Sequence, residues 1–359
     1  MPVLVQKYGG TSVDGPERIR AVAARIARSR AAGHALVVVV SAMGQTTDEL
    51  LRLAHEVSPA PDRRELDMLL TTGERVAMAL LAMALRDAGV PAISFTGSQS
   101  GILTDAAHAA ARITAVRPER IRAALERGQV AIVAGFQGVN PESRDITTLG
   151  RGGSDTTAVA LAASLAAGRC EILTDVPGVL TADPRVVPGA RVVPRMGYTA
   201  CSTLAHLGGR VLHARCVDLA ARERVPLAVR SSFDDSPGTV IEEDGAMADT
   251  AGTAGTHATA APLERARVQA IALRGECSVV IAEGNAGARG EARGIIEAAA
   301  AAFPELELLA HEQVSDEHGV LAWVGSRADA ERFVREFRTL RGPGGEWRAE
   351  AQHGAAFVS

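Results

Sequence analysis

Residues 35–41 read Ala-Leu-Val-Val-Val-Val-Ser, an unbroken apolar run rich in β-branched side chains. Successive side chains of a strand point to opposite faces. A strand that is apolar at every position therefore needs cover on both sides, which is the signature of a parallel sheet between two helical layers. The flanking segments agree. Short strands are predicted at 3–7, 92–95, 129–135 and 170–174, and helices at 16–30, 48–57, 63–88, 118–127 and 155–167. This alternation predicts an α/β fold with a mainly parallel sheet and helices on both faces. Aromatic residues make up only 3% of the chain, so Ala, Val and Leu must fill that core, packing helices closely on the sheet.

The composition changes near residue 242. Residues 242–264 are small, polar and aperiodic, as in a flexible linker. This divides the chain into a domain at 1–241, the linker, and a smaller α+β unit at 265–359. Within the smaller unit, segments 268–273, 279–281, 291–302, 306–311, 320–324 and 329–340 suggest β-β-α-β-β-α or a ferredoxin-like pattern, in which the first two pieces form one interrupted strand.

A formal net charge of −4 speaks against a general nucleic-acid binder, which needs a basic face. The four cysteines, Cys170, Cys201, Cys216 and Cys277, are far apart and form no CxxC pair, as expected of free thiols in a reducing cytoplasm. No signal peptide and no apolar run of membrane-spanning length is read from the sequence. A cytoplasmic protein with no membrane partner is the expectation.

Five segments carry candidate chemistry. Lys7-Tyr8-Gly9-Gly10-Thr11-Ser12 follows a strand. Its glycines let backbone N–H groups approach phosphate oxygens and Lys7 supplies a mobile cation, although a strand, a turn and a solvated lysine would read the same way. Ser41 to Thr47 ends the valine strand, where parallel sheets bind ligands, and Thr47 also suits a plain helix cap. Thr71-Thr72-Gly73-Glu74-Arg75 places a glycine inside a helix, which suggests a close approach or a break. Glu74 is an anion for a substrate ammonium group or a surface partner of Arg75. Thr147-Thr148-Leu149-Gly150-Arg151-Gly152-Gly153-Ser154-Asp155 runs into an Ala-rich helix. Three glycines and a helix start expose N–H donors to an anion, Arg151 can hold a carboxylate with both arms, and Asp155 can orient Lys7. Alternatively, the glycines are a hinge with Ser154 as cap. Finally, Leu173 to Arg185 carries a strand end at Thr174-Asp175 and turns at Pro177-Gly178 and Asp183-Pro184, with Arg185 free to reach phosphates.

Taken in order, K-Y-G-G-T-S, V-V-S-A-M-G, T-G-E-R-V, T-T-L-G-R-G-G-S-D and T-D-V-P-G-V-L-T-A-D-P-R resemble the signatures of the aspartate kinases of the amino acid kinase family. L-G-G-R-V-L-H-A-R and V-R-S-S-F extend the resemblance to about residue 240. It implies a three-layer α/β/α sandwich and transfer of the γ-phosphoryl group of ATP to the β-carboxylate of L-aspartate. By this resemblance Lys7 and Asp155 are catalytic. Arg151, Glu74, Thr47 and Ser154 bind the amino acid. Gly9, Gly10, Ser41, Thr174, Asp175, Leu180, Arg185 and Arg210 bind the nucleotide, with Mg²⁺ carried on ATP oxygens and no protein metal site. The smaller unit becomes a single, degenerate ACT-like domain. A homodimer or higher homo-oligomer is also implied, whereas weak or absent lysine or threonine feedback is expected from a departure, one such unit where the family usually has two. Three positions depart from the pattern: Leu180 replaces a usual Tyr, Arg210 a usual Lys and Ala214 a usual Pro. Two other readings stay open: a kinase of the same fold acting on a different amino acid or acidic metabolite, and a non-catalytic regulatory homologue.

Overall fold

The computed structural model describes residues 1–206, 211–243, 273–285, 289–303, 306–313, 318–340 and 347–358. Arg210, most of the expected linker and nearly all of the strand expected at 268–273 lie outside the described residues. The chain divides into two compact units, Met1–Ile271 and Ala272–Ser359.

The first unit is built on strands β1 (Val3–Tyr8), β2 (Ala35–Val40), β3 (Ala92–Phe95), β4 (Ile102–Thr104), β5 (Ile113–Val116), β6 (Val130–Ala134), β7 (Gln137–Val139), β8 (Ile146–Thr148), β9 (Arg169–Thr174), β10 (Arg195–Gly197), β11 (Leu227–Ser231) and β12 (Thr239–Glu242). Its helices are α1 (Pro16–Ala31), α2 (Thr46–Val57), α3 (Arg63–Asp87), α4 (Glu119–Glu126), α5 (Gly153–Ser164), α6 (Tyr198–His206) and α7 (Ala214–Glu223). Eight strands form the main sheet in the order β10-β12-β11-β9-β1-β2-β6-β3, and β4, β5, β7 and β8 form a small second sheet. All neighbours in the main sheet are parallel except β11 and β12.

The valine run behaves as its composition demands. Val37 and Val39 of β2 face a core shared with α4, α5 and α7. Leu36, Val38 and Val40 face the opposite core, shared with α1 and α3. Helix α5 is buried from Gly153 to Ala162, and its small side chains allow this close approach. Helix α3 is long and apolar enough to cross a membrane by length and composition, which the sequence reading did not register. Here half of that apolar window is buried, with Ala77, Leu81 and Leu85 packed in the core.

Strand order fixes where a ligand can enter. From β1 the chain proceeds to β2 on one side, and later returns through β9 to β11 on the other. The crevice beyond the carboxyl ends of β1 and β9 is thus the topological switch point.

In the second unit, β13 (Leu273–Asn285), α8 (Arg289–Ala302), β14 (Glu307–Gln313), β15 (His318–Gly325), α9 (Arg327–Leu340) and β16 (Arg348–Val358) follow in β-α-β-β-α-β order. The sheet order is β14-β15-β13-β16, a ferredoxin-like arrangement. Final strand β16 went unread in the sequence, and β-β-α-β-β-α gives way to the ferredoxin-like alternative. This core does use aromatic residues: Phe303, Phe337 and Trp323 ring Phe333 at centroid distances of 4.9–5.5 Å.

Candidate active site

Lys7 is the penultimate residue of β1, in register with Val39 on one side and Ile172 on the other. Its side chain projects to the α5 face, and its Nζ lies 2.7 Å from Oδ1 of Asp155 in the first turn of α5. Lys7 is 9% exposed and Asp155 8%, so the pair is shielded near the carboxyl end of the central strand β1. A helix start leaves its first N–H groups without internal partners. Of these, Gly153 N–H is taken by Gly150 O at 3.0 Å.

Backbone bonds stitch the surrounding loops into a ring. Gly9 N–H donates to Leu173 O, Ser41 N–H to Tyr8 O and Gly44 N–H to Gly10 O, each at 3.1 Å. The carboxyl ends of β1, β2 and β9 are thereby tied together. Thr174 and the exposed Asp175 sit at the end of β9, where the Thr174 hydroxyl donates to Asp175 at 3.1 Å. Ser232 N–H donates to Thr174 O at 2.7 Å.

Helix α3 delivers Glu74 to this ring. Gly73 leaves the helix unbroken, and a Cβ there would lie 2.8 Å from the Cβ of Ala42. The glycine marks a close approach, not a break. That approach lets Ala42 N–H donate to Glu74 Oε1 at 3.1 Å. Glu74 is 3% exposed, so it is not a surface partner of Arg75, and its Oε2 is buried without a hydrogen-bond partner. Burial is the main cause that pushes its pKa from 4.5 up to about 7.

The glycine loop connects β8 to α5. Gly150 and Gly152 adopt φ of 72° and 70°, in the left-handed region. A Cβ at Gly152 would lie 2.3 Å from the Cβ of His213, so both conformation and space demand glycine. Helix α5 begins at Gly153, which places Ser154 inside the first turn and makes Gly152 the cap. Arg151 is exposed beside this loop. Thr47 likewise lies within the first turn of α2 and is half-buried; the hydroxyl that closes the preceding turn belongs to Thr46, donating to Met43 O at 2.6 Å.

Two expected residues stand differently. Arg185 is held by Asp183, with Nε at 3.1 Å and Nη2 at 2.6 Å from the two carboxylate oxygens, so it is not free. Leu180 is half-buried in a local antiparallel pairing with Val192.

Four residues went unnoticed in the sequence. Phe136, at φ 67°, accepts Leu149 N–H at 2.8 Å. Arg215 of α7 donates to Leu149 O and Ala111 O, both at 2.8 Å. The Gln137 side chain donates to Thr71 O at 3.1 Å. Asp67, on α3, is fully buried. Of these only Asp67 had a readable signal: it lies seven residues before Glu74, on the same helix face, among apolar positions.

A sequence model described as the Amino acid kinase family matches residues 2–231. The aspartokinase of Corynebacterium glutamicum is 46% identical over 343 residues, covering 95% of this chain and 78% of that protein. The aspartokinase of Mycolicibacterium smegmatis is 55% identical over 260 residues, covering 72% of this chain and 62% of that protein. Among solved structures, the aspartate kinase of Synechocystis superposes with a TM-score of 0.61 at 37% identity, covering 99% of this chain and 59% of that one. Aspartokinase III of Escherichia coli, in complex with aspartate and ADP, shares the fold with a TM-score of 0.77 at 24% identity, over 99% of this chain and 86% of that one. With the family model spanning residues 2–231 and these relatives beside it, the chain belongs to the amino acid kinase family, among its aspartokinases.

Proposed function

We propose that the protein transfers the γ-phosphoryl group of ATP to the β-carboxylate of L-aspartate, giving 4-phospho-L-aspartate and ADP. A carboxylate oxygen forms the new bond to phosphorus as the bond to the ADP oxygen breaks, and no proton transfer is required. The observation that carries the reading is the buried Glu74 carboxylate with one unpartnered oxygen, in the ring of loops that also holds the Lys7–Asp155 pair. An unpaired buried carboxylate oxygen is costly, and the α-ammonium of an amino acid would supply its partner.

In this reading Arg151 receives the α-carboxylate, and Thr47 and Ser154 complete the amino-acid site. The N–H groups at the start of α5 and Lys7 face the charge that spreads over the transferring phosphoryl oxygens. Asp155 holds Lys7 in place. Ser41, Gly9, Gly10, Thr174, Asp175 and Leu180 line the nucleotide side, and Arg210 is assigned there from its motif. Arg185 joins them once it exchanges Asp183 for phosphate. Mg²⁺ would arrive with the nucleotide and neutralise phosphate charge. Asp175, exposed at the end of β9, would be the carboxylate to hold it, since Asp155 is engaged by Lys7. Catalysis then comes from positioning and electrostatics, with no covalent enzyme intermediate.

The second unit is read as a single ACT-like domain. The reading of a homo-oligomer rests on its sheet, in which β14 and β16 are edges able to pair with a second copy, and that of a cytoplasmic protein on its widely spaced cysteines.

The deciding measurement is ADP release with L-aspartate against a panel of amino and dicarboxylic acids, with and without lysine and threonine. L-Aspartate is expected to be preferred, low-millimolar lysine or threonine to inhibit weakly, and Lys7→Ala and Asp155→Asn to abolish turnover while keeping the fold. Equal turnover of acids lacking an α-amino group would refute the assignment.

A further inference from the structure

Helix α3 carries a second buried carboxylate that the reaction itself does not use. Asp67 is 0% exposed, and three donors converge on it. The Thr148 hydroxyl donates to Oδ1 at 2.5 Å. Ala109 N–H reaches both oxygens at 3.1 and 3.2 Å. His108 Nδ1 lies 2.7 Å from Oδ2.

These partners flank the glycine loop. Thr148 is the last residue of β8, two positions before Gly150. Ala109 holds a left-handed φ of 68°, a conformation unfavourable for a non-glycine residue that needs an external anchor. Its carbonyl oxygen would lie only 2.9 Å from a Cβ on Gly150, so the 108–111 turn is packed directly against the loop. Ala111 N–H also donates to Thr148 O at 2.9 Å. Asp67 thus grips both walls of the loop that leads to Arg151.

The same helix holds Glu74. Seven residues are about two turns, so the two carboxylates share one face roughly 10 Å apart along the axis. We propose that Asp67 is a positioning residue: it locks the Arg151 loop to α3, and so sets the spacing at which the site receives the α-ammonium at Glu74 and the α-carboxylate at Arg151. This rests on the amino-acid-kinase reading above and names the device behind its selectivity. A carboxylate is suited to the role because it only accepts, and all three neighbours present donors. Asparagine would turn an N–H against one of them.

The test uses the full chain with Asp67→Asn, Thr148→Val and Thr148→Ser. The first two are expected to raise KM for the amino acid about tenfold, with KM for ATP within about twofold, as lost substrate binding predicts. Thr148→Ser, which keeps the hydroxyl, should restore the wild-type KM. Hydrogen exchange of the amides of residues 149–153, measured without any ligand, should quicken in the first two variants and not in the third. Unchanged exchange there overturns the proposal whatever the substrate is. So does a parallel loss in kcat, both KM values and Tm that serine fails to rescue. The wild-type arm reads the substrate assignment separately: if the wild type prefers another amino acid, the KM ratios are taken with that acid.

Discussion

Replacing Glu74 with glutamine should stabilise the protein above neutral pH while weakening its hold on the amino acid. Burial raises the Glu74 pKa from 4.5 to about 7, and backbone hydrogen bonds, Ala42 N–H among them, offset only part of it. Between those two values the unfolded chain releases its proton while the folded chain keeps one, so stability falls as pH rises through this window and levels off above it. A shift of that size corresponds to about 3 kcal/mol of penalty once Glu74 is ionised. Glutamine keeps an acceptor for Ala42 N–H and removes the charge. At pH 8 the larger unit of Glu74→Gln should therefore melt higher than wild type, by up to roughly 10 °C for a unit of this size. At pH 4.5 the difference should vanish. Calorimetry across pH 4.5–8.5 checks the trend, and KM for L-aspartate taken in parallel should rise at least tenfold at pH 8. In the wild type, KM should fall about tenfold from pH 6 to pH 8 as Glu74 becomes ionised and able to receive an ammonium group. A melting difference that is flat across this range would refute the reasoning, because it would mean that Glu74 is not held neutral by burial.

Gly152→Ala should cost activity more than stability: the left-handed φ and the His213 contact force the loop to shift, and kcat/KM for the amino acid should drop by about a hundredfold in steady-state assays. On the proposed assignment of Leu180 to the nucleotide side, Leu180→Tyr should lower KM for ATP severalfold, with KM for L-aspartate unchanged.

Much of the architecture was legible because its long elements obey one period each. The valine strand, the α3 helix and the buried α5 helix state their environments residue by residue. Strands β4, β5, β7 and β8 did not, because three or four residues carry too little periodicity to separate a strand from a turn. Strand β16 was missed for a different reason: its sequence, Arg-Ala-Glu-Ala-Gln-His-Gly-Ala-Ala-Phe-Val, has few β-branched residues, and its pairing with β13 comes from the sheet, not from local preference.

The site divides along the same line. Motif order, through its resemblance to the aspartate kinases, singled out a lysine after β1, a glycine loop before an Ala-rich helix and a glutamate beside a helical glycine as candidates for a phosphoryl-transfer centre. Only the tertiary structure decided that Glu74 is buried, that Arg185 is engaged by Asp183 and that Asp67 grips the Arg151 loop. Burial and long-range pairing depend on which segments the fold brings together. Asp67 and Thr148 are 81 residues apart in the chain and 2.5 Å apart in space, a separation that no local pattern encodes.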